Sequence, residues 1–275
     1  MLGFWVITAL CAGALVVLQA VTCAVALRAG RFRIVDQVWG PGLAGVAVLS
    51  GILGSGDPAR RIILGLLVTL WGVRLGAHIA RRSRGAPEDA RYAELVSGSS
   101  ILVACLKVFG VQAVAQWFIS LPIQVAATSG PPSVTGLPLV ALGTVLTLAG
   151  LVIETTADRQ LVHFKADPAH HGRIMDRGLW AWSRHPNYFG DATVWVGVFL
   201  LAAAAWPGPL TIASPAAMVW FLVVATGARR LERHLADRPV YRDYQQRTSF
   251  FVLRPPHPRR ARCHAPGSLG DTEGQ

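Results

Sequence analysis

The chain has 275 residues, 52% hydrophobic and 15% charged, and carries a formal net charge of +11. An ordinary soluble domain is about 25% charged, so the composition excludes that class. The basic residues flank apolar stretches, as anionic headgroups and cytoplasmic loops require, which removes the reason to expect nucleic-acid binding.

Apolar stretches of about 20 residues, each long enough to cross a bilayer as a helix, recur along the chain. The first, Leu2 to Leu27, has no basic residue before it and outruns a secretory signal core, so it is expected to be a retained anchor. Arg28, Arg31 and Arg33 follow it. The second runs from Ile34 to Leu53, with Asp36, Gln37 and Trp39 at its start. The third, Ile62 to Ala80, holds Arg74 and His78 one helical turn apart and leads to Arg81, Arg82, Arg84 and Arg91. An arginine inside a span needs a partner, and Asp36 is a candidate.

The fourth span is read as Val108 to Ala127, the fifth as Leu137 to Ile153, the sixth as Ala192 to Trp206 and the seventh as Leu210 to Thr226. Their connections alternate: TSGPPSVTG and WPGP are uncharged, whereas the links after spans one, three, five and seven are basic. The expectation is an all-α polytopic membrane protein of about seven transmembrane helices, N-terminus out and C-terminus cytoplasmic. Residues 1–254 form one membrane domain, and the Pro-, Gly- and Arg-rich stretch 255–275 is expected to be a disordered tail without catalytic role. No internal repeat of the inverted-repeat transporter kind stands out. The four cysteines, Cys11, Cys23, Cys105 and Cys263, form no CxxC pair and call for neither a metal site nor a disulfide framework.

The segment from Glu154 to Asp191 is too polar for a span and too rich in reactive side chains for a passive link. Glu154 and Asp158 lie one turn apart at the end of span five, so their carboxylates share a face and repel. Either Arg159, Lys165 or an arginine of another span neutralises them, or they bind polar atoms of a cofactor. In GLWAWSRHPNYFGD, Pro186 keeps Arg184 and His185 out of a helix interior, and Ser183 or Asn187 is placed to cap the next span. A helix start beside Arg184 and His185 suits an anion such as phosphate; an interfacial stop with basic anchors is the plainer reading. Trp180, Trp182 and Tyr188 fit an aromatic belt equally well.

After span seven, Arg229, Arg230, Arg233, Arg242 and Arg247 are interleaved with Tyr241 and Tyr244. Guanidinium donors and aromatic faces suit a dinucleotide, and the same segment suits anionic lipid. His163, His170 and His171 form no metal-ligand pattern, so no metal is expected.

These residues bring a family into view. VDQVWGPG, LWGVRLGAHIARR with EDARY, IETTADRQL, GLWAWSRHPNYFGD and RPVYRDYQQRTSFF together resemble the steroid 5-alpha-reductase superfamily, in its bacterial branch of formerly unknown function. The resemblance covers nearly the whole chain, and isoprenylcysteine carboxyl methyltransferases share the RHPxYxG element. It implies a seven-helix reductase of an inner membrane that binds NADPH in a cytoplasm-open cavity and reduces a carbon–carbon double bond of a hydrophobic enone. It implies cofactor contacts at Asp158, Lys165, Arg173, Asn187, Asp191 and Arg229, to which the residue reading adds Glu154, Arg184, His185, Tyr188, Arg230, Tyr241 and Tyr244. Asp191 stands where steroid reductases usually carry glutamate, and Glu154 where they tend to carry asparagine. The proton-donating group is expected among Asp36, Arg74, His78 and Tyr92. The rival expectation is a membrane methyltransferase using S-adenosylmethionine, with IETTADRQL favouring the reductase branch.

Overall fold

The computed structural model describes residues 1–88, 90–225, 228–229, 232 and 239–256. Among them there is no β-strand, only an isolated bridge between Leu2 and Gly54. Helix α1 spans Phe4–Ala29 and stops where Gly30 takes a left-handed conformation and returns its N–H to the last turn. A 3₁₀ segment, Phe32–Val38, leads into α2, Trp39–Leu53. Helix α3, Pro58–Ser83, opens on Asp57, whose carboxylate accepts from the Arg60 N–H at 2.8 Å, with Pro58 in the first turn where its missing donor costs nothing. Then come α4, Ala90–Val96, α5, Ile101–Ile119, and α6, Leu121–Thr128. Helix α7 spans Leu137–Ala166, the short α8 Leu179–Trp182 and α9 Pro186–Ala203. Helix α10 occupies Gly208–Ala225 and α11 Pro239–Arg247.

Five described segments are long and apolar enough to cross a membrane: Phe4–Ala29, Pro58–Ser83, Ile101–Ile119, Val134–Ala166 and Gly208–Ala225. Their outward faces are apolar; Trp5, Leu66, Leu102, Val145 and Leu210 are each more than half exposed. Such a surface suits lipid rather than water, and the protein is an integral membrane protein. The other two expected spans fall on α2, which has 15 residues, and α9, which has 18 and begins with the polar turn from Pro186 to Asp191. Both bury one face in the core, α2 through Leu43 and Ala47 and α9 through Val194, Trp195 and Val198.

Several boundaries differ from the sequence reading, most of all those of the fourth and fifth spans. The fourth span starts earlier, at Ile101, and breaks at Ser120, because Pro122 has no N–H to continue the ladder. The fifth does not end at Ile153 but continues to Ala166, since Glu154, Ala157, Arg159, Gln160, Leu161 and Lys165 are good helix formers and no glycine or proline intervenes before Pro168. Glu154, Asp158 and Lys165 therefore ride on one rigid helix.

The central seam is α7 against α9. A Cβ at Gly150 would lie 2.5 Å from the Gly190 carbonyl oxygen, and one at Gly190 would lie 2.6 Å from the Glu154 nitrogen. Only glycine allows the two backbones this approach, the small-residue packing that membrane helices use in place of hydrophobic driving force. The core beside the seam includes Leu43, Leu64, Trp71, Ile119, Val194, Trp195 and Val198, with the Trp71 and Trp195 rings edge to face at 5.3 Å. Trp71 is one turn from Arg74 on α3 and Trp195 one turn from Asp191 on α9, so this apolar core is contiguous with the charged residues.

Candidate functional site

Arg74 projects from α3 between two carboxylates of α7. Its Nη1 donates to Glu154 Oε1 at 2.5 Å and its Nη2 donates to Asp158 Oδ2. Asn187, in the first turn of α9, donates to Asp158 Oδ1 at 3.2 Å, and His78 Nε2 lies 3.6 Å from Asp158 Oδ2. Asp191, one turn on from Asn187, is 5% exposed, Glu154 3% and Asp158 5%. Among the described residues, Glu154 Oε2 and Asp191 Oδ1 are buried without a hydrogen-bond partner. Three helices thus bring three carboxylates, one guanidinium, one imidazole and one carboxamide together, with two acceptor atoms left over.

An arginine of another span thus bridges the carboxylate pair and offsets one of its two charges. The bridge also corrects the expected partner of Arg74, which is not Asp36. Asp36 lies on the 3₁₀ segment before α2 and accepts from the Tyr92 hydroxyl of α4 at 2.5 Å. The misreading has a simple cause: Asp36 lies at the start of the neighbouring expected span, while Glu154 and Asp158 are 80 and 84 residues from Arg74. The four expected proton-donor residues therefore divide into two groups, Arg74 with His78 and Asp36 with Tyr92.

The RHPN turn forms a second cluster. Glu232 accepts from Arg184 Nη1 and from Gln245 Nε2 at 2.6 Å through Oε2. Its Oε1 takes the Tyr241 hydroxyl at 2.6 Å and lies 3.1 Å from His185 Nε2. Phe250 covers the turn, 5.3 Å below the Arg184 guanidinium and edge-on to His185 at 5.4 Å, while Tyr188 stacks on His185 at 5.7 Å. Tyr244 donates to the Trp180 carbonyl at 2.5 Å. Arg184, His185, Tyr241 and Tyr244 are thus internal struts that fasten the turn to the C-terminal segment. Neither Ser183 nor Asn187 caps α9: Ser183 donates to the Phe251 carbonyl at 2.8 Å, and Asn187 is spent on Asp158.

The electrostatics of this strut follow from its contacts. Burial raises the Glu232 carboxyl, but hydrogen bonds from His185, Tyr241 and Gln245 and the Arg184 charge outweigh it and hold the group below the usual glutamate range. Burial and the adjacent carboxylate push the Tyr241 phenol up, and burial does the same to Tyr244. Glu232 was missed by sequence reasoning. Its signal was a lone acid inside the arginine run GARRLERHL, the place where a compensating charge belongs.

Lys165, Arg173 and Arg229 are exposed, leaving their cationic heads accessible near the ends of α7 and α10. Arg230 and Arg233, and residues 257–275 of the expected tail, lie outside the described residues. Two apolar grooves, of about 250 Å³ and about 700 Å³, border α10; the larger lies between α5 and α10 and neither includes a residue of the two charged clusters.

No solved structure matches the chain. An uncharacterised protein of Schizosaccharomyces pombe is 27% identical over 258 residues, covering 80% of this chain and 72% of the yeast protein. Residues 22–248, which take in both charged clusters from Arg74 to Gln245, match the family described as protein of unknown function (DUF1295), and the chain belongs to that family.

Proposed function

We propose that this protein is a membrane-embedded, NADPH-dependent reductase of a carbon–carbon double bond in a hydrophobic enone. The observation that carries the reading is the buried cluster in which Arg74 bridges Glu154 and Asp158 while Asn187 and Asp191 close on it from α9. Buried polar groups at membrane depth are costly and mark functional sites. The two acceptor atoms without partners, Glu154 Oε2 and Asp191 Oδ1, fit the carboxamide and ribose hydroxyl donors of a dinucleotide, and exposed Lys165, Arg173 and Arg229 fit its phosphates.

When bound, NADPH supplies the hydride that the enone's β carbon accepts. The protein's own task is to stabilise the negative charge that then appears on the carbonyl oxygen and to return a proton. Tyr92, a hydroxyl donor held by Asp36, is one such group, and His78 beside Asp158 is the other. Arg74 is a positioning residue: it fixes the two α7 carboxylates and through Asp158 the side chain of Asn187. The seven-span topology, with a cavity open to the cytoplasm and the N-terminus outside, belongs to the same proposal, as does an inner-membrane location. Hydrophobic substrate and membrane lipid are the partners it requires.

One observation favours a second reading. Three carboxylates face one guanidinium, an acidic excess that suits the cationic sulfonium of S-adenosylmethionine better than a polyanionic dinucleotide, and so fits a membrane methyltransferase.

The test is turnover. Protein in detergent or vesicles is given NADPH and a panel of lipid-soluble enones, and the loss of the reduced nicotinamide absorbance is followed together with the product mass. The expected result is oxidation of NADPH matched by enones that gain two hydrogens. Methylated product from S-adenosylmethionine, with NADPH untouched, would establish the other reading.

A further inference from the structure

The helix packing brings together two cysteines that the sequence keeps 82 residues apart: Cys23, near the end of α1, and Cys105, in the first turn of α5, whose sulfurs lie 2.7 Å from each other. Both side chains are half-buried. That separation is well inside the contact distance of two unbonded sulfurs, so the backbone already holds the pair within reach of a covalent bond, whose geometry is demanding. Around them lie Ala26, Val35, Tyr92, Val108 and Phe109, a small apolar cluster apart from the main core. Cys105 is also the last residue before a π turn, Leu106–Gly110, and both ends of that turn line the groove between α5 and α10. Single π turns inside α-helices occur often at functional positions.

We propose that Cys23 and Cys105 form a redox modification site, a dithiol that closes to a disulfide by exchange with a low-molecular-weight disulfide. One cysteine, as thiolate, attacks a sulfur of the small disulfide, forming a mixed disulfide and expelling one small thiol; the other cysteine then attacks the protein sulfur and expels the second. Two protein thiols are oxidised to one disulfide, and one small disulfide is reduced to two thiols. The bond ties α1 to the start of α5 and fixes the residue from which the π turn departs. Because Tyr92 belongs to the same apolar cluster, the bond also stiffens the wall behind the Asp36–Tyr92 pair. The site does not depend on the reductase reading, since the sulfur geometry stands whatever the protein's cofactor.

The experiment treats the folded full-length protein in detergent with oxidised glutathione, alkylates the remaining thiols and maps linkages by peptide mass analysis. The expected result is a Cys23–Cys105 linkage that a dithiol reductant reverses, with Cys11 still free. In Cys23→Ser the linkage should be lost and Cys105 should stop at the glutathione adduct. Cys23 and Cys105 both alkylated, or both carrying glutathione without a linkage, would overturn the proposal. So would a linkage of Cys105 to a different cysteine in Cys23→Ser.

Discussion

Arg74 and Glu154 meet at 2.5 Å across the α3–α7 interface, and the same guanidinium reaches Asp158 one turn further along α7. Both carboxylates are buried, so removing the cation takes the Arg74 donor from Glu154 and leaves Asp158 with Asn187 and His78. Breaking a buried pair from one side costs about 3–5 kcal/mol. Arg74→Ala should therefore lower the thermal midpoint sharply, and adding Glu154→Gln and Asp158→Asn should restore much of it. A midpoint for Arg74→Ala equal to that of the unaltered protein would show that the bridge does not form.

The α7–α9 seam makes a steric prediction. A methyl at Gly190 would meet the Glu154 backbone nitrogen at 2.6 Å, whereas one at Gly45 has nothing within 4 Å. Gly190→Ala should destabilise by about 1–3 kcal/mol and separate Asn187 from Asp158, while Gly45→Ala should be neutral. Thermal unfolding of the two variants side by side is the check. Equal midpoints would argue against the close approach.

Glu232 makes a prediction in pH. Its folded carboxyl ionises below the ordinary glutamate value of 4.5, so the unfolded chain takes up the proton at a higher pH than the folded one. Its contribution is fully present above that ordinary value and is lost as pH falls through the lower folded value. The difference in thermal midpoint between the unaltered protein and Glu232→Gln should be constant at neutral pH and shrink toward zero in acid. A difference that grows in acid would contradict the strut.

Cofactor contacts separate two kinds of variant. Arg229 is exposed, so Arg229→Ala should weaken NADPH binding by about tenfold, roughly 1.4 kcal/mol, without moving the thermal midpoint. Asn187→Ala should weaken binding and also reduce stability, because Asn187 holds Asp158. Both are read by titration and thermal shift on protein from membranes. Unchanged affinity in both would remove these residues from the site.

Much of this was legible in the sequence, and the limits are physical. The apolar stretches gave the helical membrane character, and the polar residues from Glu154 to Asp191 supply much of both charged clusters. Periodicity is local, however, and the partner of Arg74 is 80 residues away. The reading therefore took Asp36, at the start of the neighbouring span, where the fold selects Glu154 and Asp158. Span five was ended at the first carboxylate because hydropathy changes there, but helix propensity does not, and α7 continues to Ala166. Arg184 and His185 read as an open anion turn because their counter-ion, Glu232, lies 48 and 47 residues on. The Cys23–Cys105 contact left no trace, since spacing carries no information about which faces of α1 and α5 meet.

The most direct test of the central claim is a binding comparison on one preparation, following tryptophan fluorescence while the protein is titrated separately with NADPH and with S-adenosylmethionine. Trp71 and Trp195 stand one turn from Arg74 and Asp191 and make natural reporters of that cluster. Saturable quenching by NADPH, lost in Asp191→Ala and absent with the methyl donor, is the result expected of a reductase. Saturation by S-adenosylmethionine with no response to NADPH would contradict it.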